Sequence, residues 1–211
     1  MPTEDPDTVW PTPHLRLRGA KSLRALAHPL RVALLNAVSL HGPITATQAA
    51  AIVDDSPSNC SFHLRVLGSA GLIEQAPGRD QRQRPWRRIP GPVSFETDGS
   101  PDSYAAHRAV VELMSRHRLD AEARWGDLEA QAPPEWQDVA VNYATTLTLT
   151  AAEAVELGRR IAQLLEPYAE RREARPMGPD EAPMSIALQF FPLVTDVADL
   201  PSAATPEGDQ S

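Results

Sequence analysis

The sequence predicts a mainly α chain with small β elements, an α+β fold, and three observations carry that expectation. Apolar residues recur at three- and four-residue steps from Leu23 through Leu26, Leu30, Ala33, Leu34 and Val38, and further helix-forming stretches run over 102–130 and 151–172. Strand signals are short, at 72–75, 86–89, 145–149 and 186–190. Proline, at 21 of 211 residues, is about twice its usual share, so the elements should be short and punctuated.

Taken in order, residues 1–13 hold four prolines, three acids and no apolar period, and read as a disordered leader. Two helices should follow from Ser22, parted near His28-Pro29, with His41-Gly42-Pro43 ending the second. Thr45 is the expected N-cap of a short helix closed by Asp54-Asp55. Ser56-Pro57 starts the next, with serine as cap and proline at the first helical position, and Gly71 stops it after Ala70. Residues 72–75 and 86–89 flank the turn Pro77-Gly78-Arg79-Asp80 as a hairpin. Residues 91–101 read as a Pro- and Gly-rich linker, and a long helix should run from Asp102 to about Ala130. Strict alternation at 145–149 and across Ile186, Leu188 and Phe190 predicts two half-buried strands around a helix from Ala151, a strand-helix-strand unit. Residues 14–90 and 102–200 are thus two folded units, with a loose tail over 201–211.

The net charge of -8 conceals a segregation. Residues 14–90 carry 11 Lys+Arg against 4 Asp+Glu, a net of +7, while the remainder carries 9 against 24, a net of -15. One body can therefore approach a polyanion while the other is repelled by it. A single cysteine, Cys60, permits no internal disulfide and no thiolate metal cluster. No apolar run reaches the ~20 residues of a membrane span, and the start of the chain is acidic where a secretory signal is basic, so the expected location is cytoplasmic, with the nucleoid.

Two short helices joined by a tight turn and followed by a basic hairpin suit a winged helix-turn-helix, in which the second helix enters the DNA major groove. At about 100° per residue, Cys60, Leu64 and Leu67 share one stripe of that helix. Opposite and beside it stand Ser58, Asn59, Ser61, Phe62 and Arg65, groups that exchange hydrogen bonds with base edges or press on a thymine methyl. Phe62 could instead pack on a neighbouring helix. His63 lies on the core flank and is a second-rank candidate, for a phosphate or a nearby carbonyl. Arg79, Arg82, Arg84, Arg87 and Arg88 crowd the hairpin, where guanidinium forks fit phosphate or a narrow minor groove. The same run could instead pair with the acidic C-terminal body.

Residues 22–90 resemble the ArsR-type winged helix-turn-helix regulators, in an actinobacterial-looking branch. The likeness rests on Ala27-His28-Pro29-Leu30-Arg31, Gly42-Pro43-Ile44-Thr45-Ala46-Thr47, the stretch from Ser56 through Arg65, Gly71-Leu72-Ile73-Glu74 and Arg84-Pro85-Trp86-Arg87. The resemblance implies a homodimer on a pseudo-palindromic double-stranded operator, usually a repressor released by a small-molecule effector. The long helix then becomes the dimer element, with Tyr104, Val111, Met114, Ala121, Trp125 and Leu128 as an imperfect seam broken by Arg118.

Some members of that group bind metal, and here His107, Glu112, His117 and Asp120 form the one set to weigh. His107 and His117 are about 80° apart around the helix, and Ala105 stands where the family would favour an acid, so no metal and no cofactor are expected. The aromatic residues Trp136, Tyr143, Tyr168, Phe190 and Phe191 should form C-terminal core or enclose an apolar effector. No Gly-rich phosphate loop, catalytic triad or HExxH pattern marks an enzyme. The alternative of another class is a winged-helix protein-interaction module without sequence-specific DNA binding.

Overall fold

A computed structural model describes residues 15–77, 84–89, 91, 93–137, 139–141, 143–174 and 177–201. The chain opens with β1 (Leu15–Arg18) and α1 (Gly19–Arg24), then α2 (Pro29–His41), α3 (Ala46–Val53) and α4 (Pro57–Ser69). A hairpin of β2 (Ile73–Gln75) and β3 (Trp86–Arg88) follows, then β4 (Val93–Glu96) and the long α5 (Pro101–Leu128). A 3₁₀ turn at Glu129–Gln131, α6 (Pro134–Gln137), α7 (Ala151–Ala174) and a 3₁₀ turn at Val197–Asp199 complete the described elements.

The helix starts are fixed by local chemistry. Helices α2, α4 and α5 each carry proline in the first turn, where the missing N–H has no helical partner to lose. Their caps are His28, whose Nδ1 accepts from the Leu30 N–H at 3.2 Å, Ser56 and Ser100. Helix α3 begins with a reciprocal capping box between Thr45 and Gln48. Asp54, at φ 54°, takes the left-handed conformation that turns the chain from α3 into α4. Gly71, at φ 76°, ends the next helix in the same region.

The apolar stripes of α1 to α4 converge on one core. Leu23, Leu26, Leu34, Val38, Cys60, Leu64, Leu67, Leu72 and Ile73 are all essentially inaccessible to water within it. Each leucine so buried contributes about 1.5–3 kcal/mol relative to an exposed one. The hairpin pairs antiparallel, with Ile73 opposite Arg88 and Gln75 opposite Trp86, and Ile44 forms an isolated bridge to Trp86. The indole of Trp86 lies over α4, where a Cβ added at Gly68 would stand 2.7 Å from the ring. Only a residue without a side chain lets the wing approach the helix that closely.

Two departures from the sequence expectation concern β structure. Residues 93–96, expected to be linker, form β4, which pairs in parallel with β1 in the register Leu15 to Val93 and Arg18 to Glu96. Across that pair Arg16 Nε lies 2.7 Å from Glu96 Oε1. The alternating stretches at 145–149 and 186–190 are not strands. Leu147, Ile186 and Phe190 are exposed, and among the described residues no strand pairs with either stretch, so the alternation covers no face.

Helix α5 belongs to the N-terminal body over its first turns. It packs on α1 and α2, with Ser103, Ala106 and Val110 buried and Met114 half-buried against the same core. The Ser103 hydroxyl accepts from the Asp98 backbone N–H at 3.0 Å, which satisfies a polar group that is wholly out of water. Beyond Met114 the helix continues for almost four turns with no buried residue. Helix α7 is stabilised by its own Glu156 pairing with Arg159 and with Arg160 one turn on, and by the Thr150–Glu153 capping pair. Tyr143, Tyr168, Phe190 and Phe191 are exposed and Trp136 is half-buried, so these aromatics build no common core.

Candidate nucleic-acid interface

Helix α4 has two sharply different faces. Cys60, Leu64 and Leu67 point into the core with no measurable exposure, as the 100° count predicts. Ser58, Phe62 and Arg65 are exposed, while Asn59 and Ser61 stand at the margins of the outer face. Phe62 is 56% exposed and is not part of the described core; among the described residues its ring meets that of His63, edge-on at 5.1 Å. Phe62 thus gives this otherwise polar face one apolar group open to contact.

The polar side chains on this face are held by short local bonds. Arg65 Nη2 donates to Ser61 Oγ at 2.9 Å, one turn back, so the guanidinium lies along the helix. Asn59 Nδ2 stands 3.1 and 3.0 Å from the two carboxylate oxygens of Asp55 in the turn before the helix. Ser56 and Ser58 share a hydroxyl contact at 3.2 Å. These bonds cost little to exchange in water but fix where each donor and acceptor starts.

His63 does not belong to the outer face. It is 7% exposed, and its ring stacks at 4.5 Å, tilted, on that of His28 from the cap of α2. Its Nδ1 has no hydrogen-bond partner among the described residues. Burial lowers the pKa of His63 below the ordinary imidazole value, and the neighbouring His28 and Arg31 lower it further while Asp55 opposes them. A neutral, buried imidazole is a poor phosphate ligand, so this candidate is set aside.

The hairpin arginines separate in the same way. Arg84 is exposed, and Arg87 is exposed but ion-paired across the ladder with Glu74, Nη2 to Oε1 at 2.6 Å. Arg88 is half-buried on the opposite side of β3, donating to Ser39 Oγ at 3.3 Å and to the Gly91 carbonyl at 3.4 Å. It ties the wing to α2, and its guanidinium is turned away from the outer edge. Arg79 and Arg82 lie outside the described residues.

The seam expected on α5 is partly spoken for. Tyr104 and Leu128 are exposed, Val111 and Trp125 are half-buried, and Met114 covers the core of its own chain. The Trp125 indole N–H donates to Glu129 at 3.2 Å. His107, His117 and Asp120 remain on the helix surface, and among the described residues no three His, Cys, Asp or Glu side chains gather closely enough to hold an ion.

The residue that the sequence pattern did not single out is Asp55. Its spacing of four from Asn59 was visible, but it reads as turn chemistry until the carboxylate is seen against the carboxamide.

With two helices, the left-handed turn and the basic hairpin in place, the comparisons with known proteins fall on the same segment. The family model of the helix-turn-helix domain matches residues 26–76. That span runs from the end of the first turn of chain before α2 through α3, α4 and β2, and the following hairpin strand supplies the wing. None of the curated proteins matches the chain. Among solved structures, a variant of ZitR from Lactococcus lactis is 15% identical, over 68% of this chain and 73% of its own, with a TM-score of 0.27. RV1404 from Mycobacterium tuberculosis is 19% identical, over 71% and 82%, with a TM-score of 0.26. No helix among the described residues is long and apolar enough to cross a membrane.

Proposed function

We propose that this chain is a sequence-specific, double-stranded DNA-binding transcription regulator, without enzymatic activity, that reads the major groove with α4 and steadies the complex with its wing. The observation that carries the proposal is the outer face of α4, where Ser58, Phe62 and Arg65 are exposed with Asn59 and Ser61 half-buried at its margins, while Cys60, Leu64 and Leu67 anchor the helix behind them. Ser58, Asn59, Ser61 and Arg65 are groups able to address base edges, and Phe62 supplies an apolar contact for a thymine methyl. Arg84 and Arg87 add phosphate contacts, Arg87 by exchanging Glu74 for the DNA backbone.

The further assignment to an ArsR-type homodimeric repressor released by an effector rests on the sequence resemblance. In that arrangement two copies of α4 enter major grooves about 34 Å apart, one duplex turn. The exposed Tyr104 and Leu128, with Val111 and Trp125, are the α5 residues offered to a second copy.

The test is binding of the full chain to a randomised duplex pool over a series of salt concentrations. Affinity should fall steeply with salt, by close to one power of salt concentration per phosphate neutralised. Arg84→Ala should weaken all duplexes alike and make the slope shallower, whereas Asn59→Ala should blur sequence preference at one position. Absence of duplex binding at low ionic strength would overturn the proposal in favour of a protein-interaction module.

A further inference from the structure

Two stretches of the C-terminal half have the side-chain pattern of strands. Residues 143–150 and 181–194 run without helix, turn or bend, and among the described residues no backbone–backbone hydrogen bond involves 143–149 or 184–191. Tyr143, Thr145, Leu147 and Leu149 alternate onto one face of the first stretch. In the second, Met184, Ile186, Leu188 and Phe190 do the same. Pro183 and Pro192 bound the second at eight residues, since proline cannot donate to a ladder, and 143–150 is also eight residues long.

Their composition asks for cover. Although 23% of the chain is charged, neither 139–152 nor 182–195 contains a charged residue. A free strand edge is ordinarily blunted by charge, lysine above all, so an uncharged apolar edge has to be paired to stay soluble. Ten large apolar side chains in these two ranges are exposed. At roughly 100 Å² for each half-exposed ring or aliphatic chain, they present on the order of 1,000 Å² per copy, where a stable interface takes about 800 Å² from each partner.

We propose that 143–150 of one copy pairs with 184–191 of a second, so that two chains exchange strands across a two-fold axis. The proposal rests on the homodimer assigned above and adds to the α5 seam a second contact of a different kind. What points to a second copy is that one chain carries both halves of the match. Under two-fold symmetry each copy gives one stretch and receives the other, which forms two equivalent ladders and leaves no edge over. A foreign partner seated on one stretch would leave the other bare. In the antiparallel register that sets the apolar faces together, Tyr143 meets Phe190 and Leu147 meets Ile186. In the parallel one Leu147 stands diagonal to Ile186, still within reach of a long side chain.

The experiment follows self-association of the full chain by sedimentation over a series of concentrations, for wild type and for Leu147→Glu and Ile186→Lys. Each substitution puts an unpaired charge into both ladders, so self-association should weaken at least about tenfold. Mixing the two variants should restore it to within about threefold of wild type, because the mixed dimer has one ladder with Glu against Lys and one unaltered. Neither stretch contributes to the N-terminal core, so the urea midpoint of that body should hold and show both variants folded. In wild-type protein, which needs no variant to fold, the amides of 143–149 and 184–191 should resist hydrogen exchange well above the dissociation constant and exchange freely on dilution below it. The proposal is overturned if either variant self-associates as wild type does, which leaves a dimer built on α5 alone. It is equally overturned if the mixture stays dissociated or if those amides exchange freely within the dimer. A wild-type chain that is monomeric at every concentration would remove the homodimer as well, while leaving DNA reading by α4 to its own test.

Discussion

The N-terminal body and the segment beyond residue 140 contain similar apolar material and use it in opposite ways. Leu64 and Leu67 sit at helical spacing on a capped helix and disappear into a core shared with α1, α2 and β2. Leu147, Ile186 and Phe190 sit at strand spacing, yet they are exposed, and among the described residues around them no ladder forms. Apolar periodicity is a request for a partner. A helix satisfies its backbone internally and asks only for a surface to cover, whereas a strand also needs a neighbour for every second N–H and C=O.

The largest test of this contrast sets one buried leucine against one exposed one. Leu64→Ala should cost about 2–5 kcal/mol, measured as a lower urea midpoint at unchanged slope. Leu147→Ala should change the same midpoint by no more than about 0.5 kcal/mol. An equal loss at both positions would mean that the segment beyond residue 140 has a core of its own in solution.

A smaller effect probes how tightly the wing is seated. Gly68→Ala gains about 1 kcal/mol in helix propensity, but its methyl meets the Trp86 ring, and overpacking of that kind costs about 1–3 kcal/mol. A net loss of about 1 kcal/mol is expected, with the tryptophan fluorescence altered as the indole shifts. Ser56→Ala removes the cap of α4, bonded to the Asn59 N–H at 3.2 Å, and should cost about 1 kcal/mol in the same urea experiment.

The stacked His28–His63 pair makes the N-terminal body sensitive to pH. Burial, then Arg31, lowers the pKa of His28, and burial, then His28 and Arg31, lowers that of His63. The unfolded chain therefore binds these protons more readily than the folded one below the ordinary imidazole value of 6.5. Their contribution to stability is complete above that value and is lost as pH falls through it toward the lowered folded pKa values. The urea midpoint should drop between pH 7.5 and pH 5.5, and His63→Asn should flatten the drop. A midpoint that rises on acidification would contradict the burial of this pair.

Much of the N-terminal body was legible because its signals are local. Ser56-Pro57 announces α4 as cap and first helical residue, Thr45 announces α3 and His28-Pro29 marks the break before α2, whereas Pro101, counted with the linker, is the first residue of α5. The inward stripe of α4 followed from rotation alone. The β1–β4 pairing was not legible, because four residues at Leu15–Arg18 meet four at Val93–Glu96 across nearly the whole body, and the latter sit among prolines and glycines. Treating the hairpin arginines as one group overlooked the pleat. Successive residues of β3 face opposite ways, so Arg87 and Arg88 cannot share one outer edge. His63 was visible as a flank residue of α4, but its stacking on His28 depends on how α2 crosses α4 and has no trace in spacing.

The burial of Ser103, Ala106 and Val110 beneath α1 has a mechanical consequence. Helix α5 is about 42 Å long at 28 residues, and its near end is clamped while its far end is wet. It is a lever without a joint at its root: a push near Leu128 cannot be absorbed by a hinge around residue 100, and must turn the N-terminal body as one piece or bend the helix between.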